Sequence, residues 1–334
     1  LQQVILDWFS VAIMLLSVYF YLQDTMPLAY CLMMIVASFM IFGELKSAGS
    51  GMATLRLTEV SIDRANELDD VPVMSEGKME NSPASHDIEF RDVHFAYEKR
   101  TILDGVNFKI PDRTMTAIVG PSGSGKTTIC NLIARFWDVN SGQVLVGSQD
   151  VKAYSLSALM GNISMVFQNV YLFADTIENN IKFGKPDATR EEVVEAARKA
   201  CCDEFISALP DGYDTLIGEG GASLSGGEKQ RLSIARAMLK DAPIVVFDEA
   251  TANVDPENED RLQAAIEALT KDKTIIMIAH RLKTVRNADQ ILVVDGGHIV
   301  QQGKHDDLIL QQGLYADFVS FRKRAIGWNL RANH

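Results

Sequence analysis

Between Trp8 and Gly43 the only charged side chain is Asp24. In a bilayer such a stretch can exist only as helix, which satisfies every backbone N–H and C=O within the segment. It divides into two runs, Val4 to about Leu22 and about Thr25 to Gly43. Each is close to the roughly 20 residues that cross a hydrocarbon core. Gln23-Asp24-Thr25-Met26-Pro27 reads as a tight loop between them. Both runs are apolar on all faces, which disfavours a helical hairpin inside a soluble bundle. Asp7 is near enough to the start of the first run to reach an interface. Trp8, Tyr19, Phe20, Tyr21, Met33 and Met34 either line an apolar cavity or face lipid and neighbouring helices.

Charge returns after Gly43. A more polar helix continues from Glu44 through about Leu68, and its Lys46 and Arg56 favour a cytoplasmic exit. The reading is therefore a partial transmembrane domain over 1–68, with helices at about 4–22 and 25–68. Asp69 to Asp87, with Pro72, Gly77, Ser82 and Pro83, has the composition of a linker. The first residue is Leu1, so a fragment of a longer chain is expected, with no signal peptide at its start.

From Ile88 the pattern changes to short apolar strands and amphipathic helices. Ile88-Glu89-Phe90 and Val93-His94-Phe95 alternate as strands. Thr116 to Val119 and Ile244 to Phe247 are candidate buried strands, the second with the near-continuous apolar character of a parallel sheet, and Thr274 to Ile278 and Ile291 to Val294 follow as further strands. Helices are expected near 127–136, 191–201, 228–239 and 257–269. Thr189 and Glu192 form a capping box, and Asp255 with Pro256 starts the last helix. Asp295-Gly296-Gly297 is a hairpin turn. The class is α/β with some antiparallel strands.

Gly120-Pro121-Ser122-Gly123-Ser124-Gly125-Lys126-Thr127-Thr128 fits G-x-x-x-x-G-K-[ST] in full, after an apolar strand and before a helical run. Its glycines let the backbone curl so that N–H groups face phosphate oxygens, and the helix adds its positive end. Lys126 would neutralise the β- and γ-phosphates, and Thr127 would place a hydroxyl on magnesium. Further along, Ile244 to Phe247 lead into Asp248 and Glu249. Open sheets place ligands at the carboxyl ends of their strands. Asp248 is suited to hold magnesium, and Glu249 to orient or deprotonate an attacking water.

Leu224-Ser225-Gly226-Gly227-Glu228-Lys229-Gln230, between the phosphate loop and the acidic strand, resembles the signature of ATP-binding cassette ATPases. Ser225 and the amides of Gly226 and Gly227 open a helix and offer a second anion-binding end. The resemblance implies that this end closes over ATP held by a facing subunit. It further implies that Tyr97 stacks on adenine, that Gly120, Ser122, Gly123, Ser124, Gly125, Lys126, Thr127 and Thr128 cradle the phosphates, and that Gln168 reaches the magnesium and the attacking water. Gln168 would also sit where the ATPase communicates with the membrane part, and Gly218-Glu219-Gly220 resembles a segment that contacts coupling helices in exporters. Asp255 matches the loop that crosses the dimer interface, although Asn253-Val254 departs from the common pattern there. His280 matches the switch histidine at the γ-phosphate. Glu249, His280, Gln168 and Lys126 are then the catalytic set, Thr127, Gln168 and Asp248 the Mg²⁺ set, and ATP with Mg²⁺ the cofactors.

The resemblance is to exporter-type half-transporters of this family. The expected fold is a membrane α-helical hairpin followed by an α/β P-loop NTPase domain of the ATP-binding cassette type with an antiparallel β subdomain. The nucleotide-binding domain would cover 88–325 and a tail 326–334, with the two apolar runs as the fifth and sixth membrane helices. It implies ATP hydrolysis coupled to small-molecule, drug or lipid export across a bacterial membrane. The partners are a second half-transporter subunit, identical or different, the lipid bilayer and a transported substrate. The location implied is the inner (plasma) membrane, multi-pass, with the ATPase domain in the cytoplasm. The runs from Asp241 and His280 are also similar to iron-siderophore-linked members, which move substrate inward with an exporter fold, so direction stays open.

A soluble cassette ATPase acting on DNA is disfavoured by the hairpin and by the lack of a long coiled-coil insertion between Gln168 and Ser225. The net charge of −12, from 44 acidic and 32 basic residues, also opposes a nucleic-acid partner. The four cysteines, Cys31, Cys130, Cys201 and Cys202, have no zinc-site spacing, and a reducing compartment suits them.

Overall fold

The computed structural model describes residues 2–69, 73–221, 223–248, 256–279 and 282–321. Contacts divide the chain into two compact units, Leu1–Met74 and Ser75–His334.

The first unit is a pair of helices, α1 (Gln2–Leu22) and α2 (Leu28–Asp69). Both contain a run long and apolar enough to cross a membrane. The turn between them is fixed locally. Thr25 Oγ1 donates to the Phe20 carbonyl at 2.8 Å, and the Pro27 carbonyl accepts from the amides of Tyr30 and Cys31. Small residues mark the contact between the helices: Ser10 and Ser38 are buried, with hydroxyls 3.2 Å apart. Close backbone approach at small residues is the usual packing mode where lipid is the solvent. Asp7 and Lys46 close the other end of the hairpin as an ion pair. The outward side chains, Trp8, Tyr19, Met33 and Met34 among them, are exposed. At 42 residues α2 is about 63 Å long, twice a hydrocarbon core, so its polar half extends well beyond one.

The second unit begins with strands β1 (Ile88–Tyr97), β2 (Arg100–Ile110) and β3 (Met115–Val119), then helix α3 (Lys126–Ile133). Next come β4 (Ser141–Val146), β5 (Gln149–Asp150), α4 (Leu156–Gly161), β6 (Ile163–Val166), α5 (Ile177–Lys182), α6 (Arg190–Lys199) and α7 (Asp203–Ser207). The chain continues through α8 (Gly226–Lys240), β7 (Ile244–Asp248), α9 (Pro256–Thr270), β8 (Thr274–Ile278), α10 (Leu282–Arg286), β9 (Gln290–Asp295), β10 (His298–Gly303) and α11 (His305–Leu308).

One sheet is antiparallel, in the order β2-β1-β4-β5. The other is ordered β10-β9-β3-β8-β7-β6, with its five strands from β9 to β6 parallel. Its central strands are buried on both faces, which explains their continuous apolar sequences. Alternation assigns each residue to one face. Ala117, Val245, Phe247, Ile275 and Met277 pack with Leu232 of α8 and Leu262 of α9. Ile118, Ile244, Val246, Ile276 and Ile278 pack with Ile129 and Leu132 of α3 and with Phe90 and Phe108 of the antiparallel sheet.

Several local expectations need adjusting. Helix α3 stops at Ile133 rather than Phe136, because Arg135 takes a left-handed φ of 52°. Helix α8 starts at Gly226, two residues before the expected Glu228, because Ser225 caps it. The alternation and capping patterns do not mark strands β2, β4, β5 and β6 or the short helices α4, α5, α7, α10 and α11. The turn at Gly296-Gly297 does join β9 to β10, with both residues at positive φ.

Composition marks 69–87 as a linker, yet from Ser75 the chain is stitched onto the second unit. Arg135 Nη2 donates to the Ser75 carbonyl at 2.6 Å, Met79 N to Ala153 O at 3.0 Å, and Ser155 N to Met79 O at 2.9 Å. The strap ends at Asp87, which accepts from Ser85 Oγ at 2.7 Å and pairs with Lys109 at 3.0 Å. Burial pushes the Asp87 carboxyl up, but the Ser85 hydroxyl and Lys109 together outweigh it and hold the group below its ordinary value. A depressed carboxyl stabilises the fold above its unfolded pKa, and that contribution is lost as pH falls through the folded value. Asp87→Asn is therefore expected to lower the melting temperature at pH 7. The gap to the wild type should close as pH drops below the ordinary carboxylate range, measured by calorimetry across pH 2.5–7.

Candidate functional site

Strand β3 ends at Val119 and the chain turns at once into the loop 120–125. Gly120, Gly123 and Gly125 have φ of 153°, 77° and 108°. A Cβ on Gly120 would meet the Val294 carbonyl and Ser124 Oγ, and one on Gly125 would lie 2.7 Å from Leu103. Glycine is thus required by both conformation and space. The loop is strapped across its own mouth: Lys126 Nζ donates to the Pro121 carbonyl at 2.7 Å and to that of Gly120 at 3.1 Å. Inside it, Ser124 Oγ is buried and makes no hydrogen bond. A buried hydroxyl without a partner is costly, and a phosphate oxygen would satisfy it.

The metal-ligating candidates meet across the sheet. Thr127 Oγ1 donates to Asp248 Oδ1 at 3.4 Å, joining the first turn of α3 to the end of β7. Among the described residues no cluster of three or more His, Cys, Asp or Glu side chains forms a metal cage. One hydroxyl and one carboxylate are what Mg²⁺ takes from a protein when phosphates and water fill its remaining positions. The buried serine, the glycine cradle, the ammonium and this pair therefore fit a magnesium nucleotide. Cys130, on the buried side of α3, is not a reactive thiol: burial first and the Asp248 carboxylate second push it far above its usual range.

Three expected residues, Glu249, Asp255 and His280, lie outside the described residues. Asp248, which precedes Glu249, and Ile278, two residues before His280, are paired in register on adjacent strands. Gln168 follows β6, which pairs with β7, so it emerges at the same carboxyl edge, and it is exposed. Thr128 is buried on α3, and Ser122 is exposed in the loop. Tyr97 ends β1 in an edge-on aromatic corner, its ring centroid 4.7 Å from that of Phe95 and 5.2 Å from that of Trp137. Trp137 is half exposed and was not anticipated; aromatic spacing in β1 carries no signal for a ring 40 residues away.

Ser225 is on a different element. It caps α8 through a capping box, its Oγ accepting from Glu228 N at 3.3 Å while its own N donates to Glu228 Oε2 at 2.8 Å. Gly226 and Gly227 form the first turn of the helix. The bonds of the Ser225 side chain stay within this cap, so the structure does not join Ser225 to the phosphate loop of its own chain.

Helix α8 also organises the segment after Gln168. Arg236 donates to Tyr171 O at 2.7 Å, to Asn180 O at 2.6 Å and to Asn180 Oδ1 at 2.6 Å. Burial pulls its guanidinium down to about 10, still charged at neutral pH. Phe136, Phe167, Tyr171, Phe173 and Phe183 border an apolar groove of about 400 Å³ beside it. Sequence reasoning missed Arg236 and Asn180, because nothing local relates residues 56 apart.

Residues 103–252 match the ABC transporter family. The chain is 48% identical over 243 residues to the ATP-dependent lipid A-core flippase of Vibrio cholerae, covering 72% of this chain and 42% of that protein. It is 44% identical over 269 residues to the protein of the same description from Escherichia coli K12, covering 80% of this chain and 45% of that one. It is also similar to a solved bacterial Atm1-family ABC exporter with ATP bound, with a TM-score of 0.75 and 35% identity. That match covers 96% of this chain and 57% of the other. The chain thus spans less than half the length of the curated relatives it matches.

Gly120→Ala should close the cradle. Binding of Mg-ATP measured by calorimetry is expected to weaken at least about ten-fold, with the melting temperature changed far less.

Proposed function

We propose that this chain, in which the stretch that matches the ABC transporter family follows two helices long and apolar enough to cross a membrane, works as an exporter-type half-transporter subunit. It would couple ATP hydrolysis to movement of a lipid or another apolar small molecule across a bacterial inner membrane. The observation that carries the reading is the loop 120–128 with Lys126 folded across it and Thr127 within reach of Asp248. Export of a lipid-class cargo is favoured by the relatives described as lipid A-core flippases and by the likeness to a bacterial exporter. The ATPase domain would lie in the cytoplasm, as Lys46 and Arg56 suggest.

In this reading each residue of the site has a part. Lys126 and the loop amides hold the phosphate chain, with Ser124 Oγ supplying a further donor. Thr127 and Asp248 hold Mg²⁺, which when bound neutralises charge on the phosphate oxygens. Glu249 orients the attacking water and takes its proton, Gln168 reaches the magnesium and that water, and His280 contacts the γ-phosphate. Tyr97, with Trp137 beside it, stacks on the base.

The bonds of the Ser225 side chain stay within its own cap, and its helix end would serve a nucleotide held by a second subunit, identical or different. Closure of the pair around two nucleotides and reopening after hydrolysis would drive the membrane helices between states.

Two measurements test this. Glu249→Gln should retain bound Mg-ATP with turnover reduced at least about 100-fold; near wild-type turnover would remove Glu249 from its role. Proteoliposomes containing the chain should move a fluorescent lipid between leaflets only with Mg-ATP. Movement that ignores ATP, or hydrolysis without movement of any lipid tested, would contradict lipid export.

A further inference from the structure

The residues between 218 and 236 touch the segment 167–183 repeatedly. Gly220 N donates to Leu172 O at 3.2 Å. One turn into α8, Gln230 Nε2 donates to Phe167 O at 3.3 Å, and Gln230 is buried. Two turns later the guanidinium of Arg236 spans Tyr171 O, Asn180 O and Asn180 Oδ1. It lies 5.8 Å from the ring of Phe173 and 5.9 Å from that of Phe183. Asn180 is itself saturated: it is 1% exposed, its Oδ1 also accepts from Phe173 N at 2.9 Å, and its Nδ2 donates to the carbonyls of Phe173 and Thr176 at 3.0 Å. The segment forms only short pieces of regular structure. Its course between β6 and α5 is held by these side-chain bonds together with a short backbone bridge at its far end, where Ile177 N donates to Thr215 O at 3.0 Å and Ile217 N to Asp175 O at 2.9 Å.

Two functional ends meet in this arrangement. The start of α8 carries Ser225, and the start of 167–183 carries Gln168. We propose that Gln230 and Arg236 are positioning residues that lock the segment 167–183 to α8, so that displacement of the Ser225 end moves Gln168 with it. Resting on the functional reading above, this makes one rigid element report on two nucleotides: the one in the chain's own loop, through Gln168, and the one held by the facing subunit, through Ser225. Physical coupling needs such an element, biased by both sites. Lysine cannot replace Arg236 here, because a single ammonium does not reproduce a planar fork that reaches two carbonyls and an amide oxygen at once.

The test uses the chain in proteoliposomes, as wild type, Arg236→Lys and Gln230→Leu. Hydrogen exchange is followed with and without Mg-AMP-PNP. In the wild type, exchange should slow together in 167–172 and 224–230. In both variants the two responses should separate, with slowing kept in only one of the segments. Turnover should fall about ten-fold while KM stays within about two-fold, the pattern for a group placed correctly only in the transition state. Coupled slowing that persists in both variants, or never occurs in the wild type, overturns the inference. If Arg236→Lys does not fold, Gln230→Leu decides, since it fills the same buried space without the amide. A wild type that responds to Mg-AMP-PNP but does not hydrolyse ATP would remove the transport reading, while the exchange comparison would still settle the positioning role.

Discussion

A parallel sheet buried on both faces leaves one place for chemistry, the carboxyl edge of its strands. That constraint organises the second unit. Strands β3, β6, β7 and β8 point the same way, so the phosphate loop, Gln168 and Asp248 emerge at one edge although they are separated by up to 128 positions in sequence. The apolar runs that made those strands legible are the same ones that fix the position of the polar residues following them. A charge placed inside β7 would disturb the site by moving Asp248, before any direct effect on nucleotide.

Much of the site was legible because it is local. A glycine loop between a strand and a helix needs only nine consecutive residues, and its left-handed φ values and crowded Cα positions account for the glycines individually. The capping box at Thr189 and the late hairpin turn were readable for the same reason. Features that depend on distant partners were not. Arg135 ends α3 early and holds Ser75 across 60 positions, and a segment that looked like a free linker is a bound strap. The start of α8 was misplaced by two residues because its glycines lower helix propensity, while Ser225 compensates as a cap.

The two units obey different solvation rules. The hairpin exposes its large apolar side chains and packs at small residues, whereas in the second unit apolar residues fill two cores on either side of a sheet. Lipid supplies the missing apolar environment for the first. In the second, the segment 167–183 has little secondary structure and is held in part by half-buried Arg236 and buried Asn180, which are hydrogen-bonded to each other and to its backbone. Such a network is stiff when complete and costly when broken, which suits a segment that must hold Gln168 in place.

The central claim is that the phosphate loop of one chain works with the Ser225 helix end of another. It is tested most directly by mixing two defective forms, Lys126→Ala and Ser225→Arg, reconstituted singly and together, and measuring Mg-ATP retained after rapid dilution. Each alone should retain none, whereas the mixture should regain retention, because mixed pairs contain one site with both halves intact. If the wild type retains nucleotide and the mixture does not, each chain completes its own site and the account is wrong.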